Sequence, residues 1–179
     1  MLLIQLTGLS GAGKTTLAFR VQQLLLQREI AVEILDGDAY RKTLCKDLGF
    51  SPEDRRENIR RLGAKANELV QKNTIAIIAA INPYDDVRRE LKANYKAFTV
   101  WVHCSLDILV IRDTKGLYRK ALLPDDHPDK ITNLTGINDH YDIPIHPDLI
   151  IQTHTEDPEV SAHRLLQFVL EIILETGPL

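Results

Sequence analysis

The sequence predicts an α/β protein with three layers, in which a parallel five-stranded sheet carries helices on both faces. Apolar runs typical of buried strands alternate with apolar residues at helical spacing along most of the chain, and this alternation is typical of parallel sheets. The run at residues 74–81 is too apolar for a strand with one face in water. The length of 179 residues suits one domain with a complete core. We therefore expect a single domain over residues 1–179.

Local residue patterns predict the boundaries of several elements. Ser51 as N-cap residue and Pro52 as first helical residue predict the start of a helix. The last helix is expected to begin at Asp157-Pro158 and to stop at Gly177-Pro178. A first helix is expected at 16–26, and strands are expected at 2–7, 30–35, 74–81, 98–103 and 149–151.

One segment breaks the alternation of strands and helices. Residues 122–147 show little periodicity and contain four of the eight prolines. A long aperiodic segment inside a compact domain is typical of a functional lid or of a disordered tract. The segment is flanked by the motif Lys115-Gly116-Leu117-Tyr118, and we therefore expect a lid over about residues 115–147.

Composition excludes several classes of function. A net charge of −3 argues against a dedicated nucleic-acid surface. The longest apolar run, residues 75–81, is too short to span a bilayer. The apolar N-terminal residues are preceded by no cationic region, so they predict a first strand and not a signal peptide. Cys45 and Cys104 show no metal-binding spacing and are interpreted as reduced thiols of a cytoplasmic protein.

The residues Gly8 to Thr15 carry the clearest chemical signal. They match G-x-x-x-x-G-K-[ST], between a predicted strand and a predicted helix. In that context the backbone N–H groups of the loop close around phosphate at the positive end of the helix. Lys14 can reach the β- and γ-phosphates, and the Thr15 hydroxyl can bind Mg²⁺. The predicted phosphate-binding residues are Gly8, Leu9, Ser10, Gly11, Ala12, Gly13, Lys14, Thr15 and Thr16.

Two carboxylates follow the second predicted strand. Asp36 and Asp38 lie at its carboxyl end, where open α/β sheets bind their ligands. Phosphoryl transfer to a hydroxyl needs one carboxylate for the nucleophile and others for Mg²⁺. The third strand ends at Ile81-Asn82 without an acid, which makes this pair more important. We predict Lys14, Asp36 and Asp38 as catalytic groups; the alternative is a turn with a helix N-cap.

A third group of residues is suited to an anionic acceptor. Arg55 and Asn58 share one face of the helix that begins at Pro52. Arg41 and an exposed Phe50 can join them, so that ion pairs and stacking would hold a flat, charged molecule. By spacing alone, residues such as Arg55 and Asn58 are more often surface residues than ligands.

Several motifs accompany the P-loop in order along nearly the whole chain. They are Leu35-Asp36-Gly37-Asp38 with Arg41, Asp47 to Ser51 with Asp54-Arg55 and Glu57 to Arg61, Asn82-Pro83-Tyr84, Lys115 to Tyr118 with Lys120-Ala121, and Thr135-Gly136-Ile137 with Tyr141. In these motifs the sequence resembles the adenylylsulfate (APS) kinase family. The resemblance implies a P-loop kinase domain that transfers the γ-phosphate of ATP, with Mg²⁺, to the 3′-hydroxyl of APS. The product is PAPS, and the family is typically homodimeric.

The resemblance also implies a role for each matching residue. Asp36 would hold or deprotonate the 3′-hydroxyl, and Asp38 would support the metal shell with Thr15. The acceptor would be bound by Arg41, Arg55 and Asn58 at its phosphosulfate and ribose, by Phe50 at its adenine, by Lys115 from the lid, and by a pocket lined by Ile81, Asn82 and Leu134.

The sequence departs from the family pattern on the acceptor and lid side. Asn82 replaces the usual serine, Leu134 replaces a phenylalanine, Asn138 replaces an aspartate and His140 replaces a proline. The lid between residues 121 and 134 is several residues longer. A related P-loop kinase with a different nucleotide-linked or small acidic acceptor is therefore an alternative.

A nucleotide-dependent switch is a further alternative of another class. Asp113-Thr114-Lys115-Gly116 matches the D-x-x-G loop of such proteins. It lies far beyond the usual distance from the P-loop, and the sequence has no Asn-Lys-x-Asp motif for guanine. We therefore favour the kinase.

Overall fold

The computed structural model describes residues 1–176 and contains one five-stranded sheet. All four strand pairs are parallel, and the strand order is β2-β3-β1-β4-β5. The strands are β1 (Leu3–Thr7), β2 (Val32–Asp36), β3 (Ile75–Ala79), β4 (Phe98–His103) and β5 (Leu149–Gln152). The predicted fold class is confirmed.

Seven helices surround this sheet in the described part of the chain. They are α1 (Lys14–Leu26), α2 (Gly37–Tyr40), α3 (Pro52–Gln71), α4 (Asp85–Tyr95), α5 (Leu106–Arg112), α6 (Leu117–Ala121) and α7 (Pro158–Thr176). Helix α3 begins as predicted, because the Ser51 hydroxyl accepts a hydrogen bond from the Asp54 N–H at 3.1 Å. Helices α2, α4, α5 and α6 have no counterpart among the expected helices. The stop at Gly177-Pro178 lies outside the described residues.

Apolar residues bury both faces of the sheet. On one face, Val21 of α1 and Leu165 of α7 belong to the same buried cluster as Leu6 and Val100 of the strands. On the other face, Ile59 of α3 packs in a second cluster with strand and α4 residues. Each fully buried aliphatic side chain contributes about 1.5–3 kcal/mol through the water it no longer contacts. The two clusters thus form the apolar core on either face of the sheet.

The register of the strands brings the motifs together at that edge. Asp36, the last residue of β2, pairs with Ala79, the last residue of β3. Ala79 also pairs with Leu6 of β1, directly before the P-loop. The Gly8 N–H donates a hydrogen bond to the Ile81 carbonyl at 3.2 Å. The P-loop, the carboxylates after β2 and the segment after β3 therefore meet in one place.

The segment between α6 and β5 has no strand or helix, as the sequence predicts. It contains a turn at residues 134–139, in which the Ile137, Asn138 and Asp139 N–H groups all point to the Leu134 carbonyl. An isolated parallel bridge joins Thr135 and Asp139.

Within residues 1–176, no helix has the length and apolarity needed to cross a membrane.

Candidate active site

A cavity of about 590 Å³ opens at the carboxyl edge of the sheet. It brings together residues from the P-loop, from the β2–α2 and α3 regions, and from the predicted lid. Thirteen of the predicted site residues line it: Ser10, Gly11, Gly13, Lys14, Thr15, Thr16, Asp36, Asp38, Phe50, Arg55, Ile81, Lys115 and Leu134. The predicted residues Gly8, Leu9, Ala12, Arg41, Asn58 and Asn82 lie outside its lining.

The P-loop has the backbone geometry of an anion-binding loop. Gly11 and Gly13 have φ values of 76° and 94°, in the left-handed region that favours glycine. A Cβ at Gly8 would lie 2.3 Å from the Val102 carbonyl oxygen, so the first strand can leave the sheet here only through glycine. Gly13 precedes α1 without any side-chain cap. The first N–H groups of α1 are therefore available to phosphate oxygens.

The ammonium group of Lys14 lies inside its own loop. Its Nζ donates hydrogen bonds to the Gly8 and Leu9 carbonyls, both at 2.8 Å, and the residue is only 8% exposed. Burial, together with the nearby charge of Lys115, lowers the pKa of Lys14 to about 7, against the opposing charges of Asp38 and Asp36. The sequence interpretation, which expects a phosphate-binding cation, does not reveal this shift.

Asp36 is the N-cap residue of α2, the alternative role that the sequence leaves open, and it also contacts the P-loop. Its Oδ1 caps α2 by accepting hydrogen bonds from the Asp38 and Ala39 N–H groups at 2.9 and 3.0 Å. Its Oδ2 accepts a hydrogen bond from the Thr15 hydroxyl at 2.7 Å. Asp38 Oδ2 instead pairs with Lys115 Nζ at 2.5 Å. The carboxylate in contact with the predicted metal ligand Thr15 is therefore that of Asp36, and Asp38 contacts the lid.

Phe50 projects from the loop before α3 and remains 54% exposed. The guanidinium of Arg41 lies 4.4 Å from the centre of its ring, and that of Arg55 lies 5.4 Å from it. Arg41 also donates a hydrogen bond to the Gly49 carbonyl at 2.8 Å. Burial and the nearby Arg55 lower the pKa of Arg41. Arg41 thus supports the loop of Phe50 from outside the cavity.

Two predicted acceptor residues are buried and do not line the cavity. Asn58 is 5% exposed, and its Oδ1 has no hydrogen-bond partner within residues 1–176. Asn82 is 1% exposed, and its Nδ2 donates a hydrogen bond to Gln5 Oε1 at 2.9 Å. Asn82 has a φ of 47°, which asparagine adopts more readily than most residues. The replacement of the family's serine therefore serves a buried polar network and a left-handed turn.

The lid residues show why Asn138 departs from the family pattern. Its Oδ1 accepts a hydrogen bond from the Leu134 N–H at 2.8 Å, and its Nδ2 donates one to the Ile131 carbonyl at 2.7 Å. An aspartate could make the first contact only, because a carboxylate has no donor. Leu134 is 6% exposed and packs in the main core as well as lining the cavity. The Asn138 side chain thus joins the start of this turn to Ile131 of the predicted lid.

Sequence reasoning misses two residues that brace the P-loop. The Tyr118 hydroxyl donates a hydrogen bond to the Ser10 carbonyl at 2.7 Å, and Thr153 Oγ1 donates one to the Ala12 carbonyl at 2.9 Å. Burial raises the pKa of Tyr118 to about 12, so it stays a neutral donor. Tyr118 could have been suspected from its motif with Lys115, whereas Thr153 carries no local signal.

The D-x-x-G match has a structural explanation. Asp113 accepts hydrogen bonds from the Tyr118 and Arg119 N–H groups in the first turn of α6, at 2.9 and 3.0 Å. Its carboxylate therefore caps a helix at the base of the lid. This arrangement argues against the switch interpretation.

The fold and the cavity define a P-loop kinase, because a P-loop shares its cavity with a carboxylate, an arginine and an aromatic ring. The family model described as adenylylsulphate kinase matches residues 1–152. The chain belongs to the adenylylsulphate kinase family, as the resemblance of its motifs predicts.

Individual relatives agree with this assignment. The chain is 46% identical to an adenylyl-sulfate kinase from Chloroflexus aurantiacus, over 92% of this chain and 87% of that one. The structure of the Mycobacterium tuberculosis APS kinase in complex with AMPPNP and APS superposes with a TM-score of 0.86, at 35% identity, over 94% and 96% of the two chains. A hexameric APS kinase from Thiobacillus denitrificans gives a TM-score of 0.68 at 27% identity, over 95% of this chain and 29% of that one.

Proposed function

We propose that this protein transfers the γ-phosphate of ATP to the 3′-hydroxyl of APS and produces PAPS and ADP. The observation that carries the proposal is the single cavity lined by both Lys14 of the P-loop and Arg55 of α3, with Asp36 among its other lining residues. A phosphate donor and an anionic acceptor can therefore be bound side by side. The related enzyme with AMPPNP and APS supports this choice of donor and acceptor.

The P-loop binds the triphosphate. The free N–H groups at the start of α1 and the protonated Lys14 would bind the phosphate oxygens and stabilise the charge that develops during transfer. When bound, Mg²⁺ would neutralise part of the phosphate charge. Thr15 and Asp38 are the proposed metal residues, and Asp36 contacts Thr15 directly. Hydroxyl and carboxylate oxygens are the ligands that Mg²⁺ prefers.

Asp36 orients the acceptor hydroxyl. As the 3′-oxygen forms its bond to the γ-phosphorus, the bond from that phosphorus to the β–γ bridging oxygen breaks and ADP leaves. The hydroxyl proton passes to the Asp36 carboxylate, which already accepts a hydroxyl hydrogen bond from Thr15 at 2.7 Å. Lys115 of the lid, which pairs with Asp38, adds a positive charge near the reacting groups.

The remaining predicted residues hold the acceptor. Arg55 binds its anionic groups, with Arg41 and Asn58 in support, and Phe50 stacks on its base. Ile81 and Leu134 add apolar contacts in the cavity. Asn82 supports the acceptor site indirectly, through its buried hydrogen bond with Gln5.

The proposal extends to organisation and setting. Residues 1–179 form a single P-loop kinase domain in which about 115–147 act as the lid. The resemblance supports a homodimer, which sedimentation equilibrium of the purified protein tests against a monomer and a hexamer. We place the enzyme in the cytoplasm. Its product would be used there in sulfate assimilation.

The deciding experiment measures ADP release with Mg²⁺ and ATP, with APS and with other nucleotides and small acidic molecules as acceptors. We expect turnover with APS far above that with any other acceptor. Identification of PAPS as the product establishes the position of the new phosphate. A preference for another acceptor would leave the kinase class and contradict APS as substrate.

A further inference from the structure

The guanidinium group of Arg55 is held by three polar contacts. Its Nε donates a hydrogen bond to the Phe50 carbonyl at 3.0 Å, and its Nη2 donates one to the Asn133 carbonyl at 2.7 Å. Asp139 Oδ2 lies 2.9 Å from the same Nη2. The two side chains of this ion pair are only 8% and 19% exposed. Two of the three contacts therefore come from the lid and fix a buried cation of α3.

The three contacts leave one nitrogen of Arg55 for a ligand. In the described part of the chain, Nη1 has no hydrogen-bond partner, and Arg55 lines the active-site cavity. The guanidinium is a rigid planar fork. Fixing Nε and Nη2 therefore also fixes the direction of Nη1.

Asp139 is itself held in place by the turn at residues 134–139. Its N–H lies 3.2 Å from the Leu134 carbonyl oxygen, and its own carbonyl accepts a hydrogen bond from the Gly136 N–H at 2.8 Å. Gly136 packs against Leu9 of the P-loop so closely that a Cβ would lie 2.6 Å from the Leu9 Cδ2. The same turn thus contacts the P-loop, lines the cavity through Leu134 and carries the partner of Arg55.

We infer that Asp139 is a positioning residue of the acceptor site, which directs the Nη1 edge of Arg55 into the cavity through its contact with Nη2. The inference rests on the proposed function in one respect, namely that Arg55 binds an anionic group of the acceptor. The position of the carboxylate oxygen matters here more than its charge. Arg55 is accordingly oriented correctly only when the turn at residues 134–139 is packed in place.

Two conservative variants separate position from charge. Asp139→Asn keeps the length of the side chain and an oxygen for Nη2, and we expect its acceptor KM to stay within about threefold of wild type. Asp139→Glu keeps the charge but displaces the oxygen by a methylene group, and we expect its acceptor KM to rise about tenfold or more. The ATP KM should change little in either variant. Asp125→Glu is the matched control, because Asp125 is a lid carboxylate that pairs with Lys130 and is 99% exposed.

A double-mutant cycle tests whether Asp139 acts through Arg55. In an Arg55→Ala background, Asp139→Glu should have no further effect on the acceptor KM, because interacting residues are non-additive. Additive effects would overturn the inference, and so would the opposite pattern, with Asp139→Asn impaired and Asp139→Glu normal. Wild-type turnover with APS tests the proposed function separately. The KM ratios are measured with whichever acceptor the wild-type enzyme phosphorylates best, so the two failures are distinguishable.

Discussion

The hydroxyl of Thr15 donates a 2.7 Å hydrogen bond to Oδ2 of Asp36, and this contact joins the start of α1 to the end of β2. The other oxygen of Asp36 caps α2. The carboxylate that we propose for the acceptor hydroxyl is therefore oriented from two sides before any substrate binds. Such fixed orientation lowers the cost of reaching a reactive geometry.

Asp36→Asn should lower kcat by orders of magnitude with little loss of ATP affinity. Asparagine keeps an oxygen for the α2 cap but cannot accept the acceptor's proton. Steady-state kinetics and the binding of a non-hydrolysable ATP analogue measure the two quantities. Thermal unfolding shows whether the cap is retained. Equal losses of turnover and nucleotide affinity would identify Asp36 as a metal ligand instead of the group that orients the acceptor.

Nucleotide binding should be accompanied by proton uptake at Lys14. Because burial and Lys115 lower the Lys14 pKa to about 7, the amine is mostly neutral at about pH 8.5 in the free protein. Phosphate oxygens favour the charged amine and raise its pKa towards the ordinary value. Close to one proton should therefore be taken up at about pH 8.5, and much less near pH 6, where the amine is already charged. Calorimetry in buffers of different ionisation enthalpy measures this number.

Two variants control the assignment to Lys14. Lys14→Arg carries a permanent charge and should bind nucleotide without proton uptake. Lys14→Ala should abolish turnover, and more than a few per cent of wild-type activity would argue against the site. Equal proton uptake in the wild type and in Lys14→Arg would assign the proton to another group.

Arg55→Ala and Asn58→Ala should weaken acceptor binding far more than ATP binding. A desolvated charge-assisted contact to an anion is worth about 2–5 kcal/mol when one partner is removed, so the acceptor KM of Arg55→Ala should rise by more than about tenfold. Asn58 has a buried oxygen without a partner among the described residues. Arg56→Ala is the control on the same helix, because Arg56 contacts Asp86 and the Tyr84 ring. Wild-type acceptor KM values in both test variants would exclude this face of α3 from the acceptor-binding site.

The sequence predicts the sheet and the P-loop because their signals are local. Buried strands are apolar runs, and glycines mark the positions where backbone must pass close to backbone, as Gly8 does beneath Val102. The start of α3 is equally local, since Ser51 and Pro52 determine it. The resemblance adds the expected role of each acceptor residue, and most of these residues line the cavity.

The contacts of the lid are not predictable in this way. Lys115 and Asp38 are 77 residues apart in sequence and pair only because the lid packs over α2. The orientation of Asn82 depends on Gln5, also 77 residues away. Motif spacing indicates that such residues belong to one site, but it does not indicate which oxygen meets which nitrogen. Tertiary packing decides that.

Leu134→Phe should tighten the binding of APS. Leu134 lines the cavity together with Phe50, and an aromatic ring in its place adds a stacking contribution of about 0.5–1.5 kcal/mol. The acceptor KM should therefore fall by up to about tenfold. Because Leu134 also packs in the main core, the larger ring should lower the free energy of unfolding by about 1–3 kcal/mol. Thermal unfolding measures this loss separately from the kinetics. Leu134→Met, similar in volume but not aromatic, is the matched control and should leave the KM unchanged. Two results together would contradict APS as the substrate: a wild-type enzyme that is poor with APS, and a Leu134→Phe enzyme that loses activity on its best acceptor. The cavity would then fit a molecule that needs the smaller leucine.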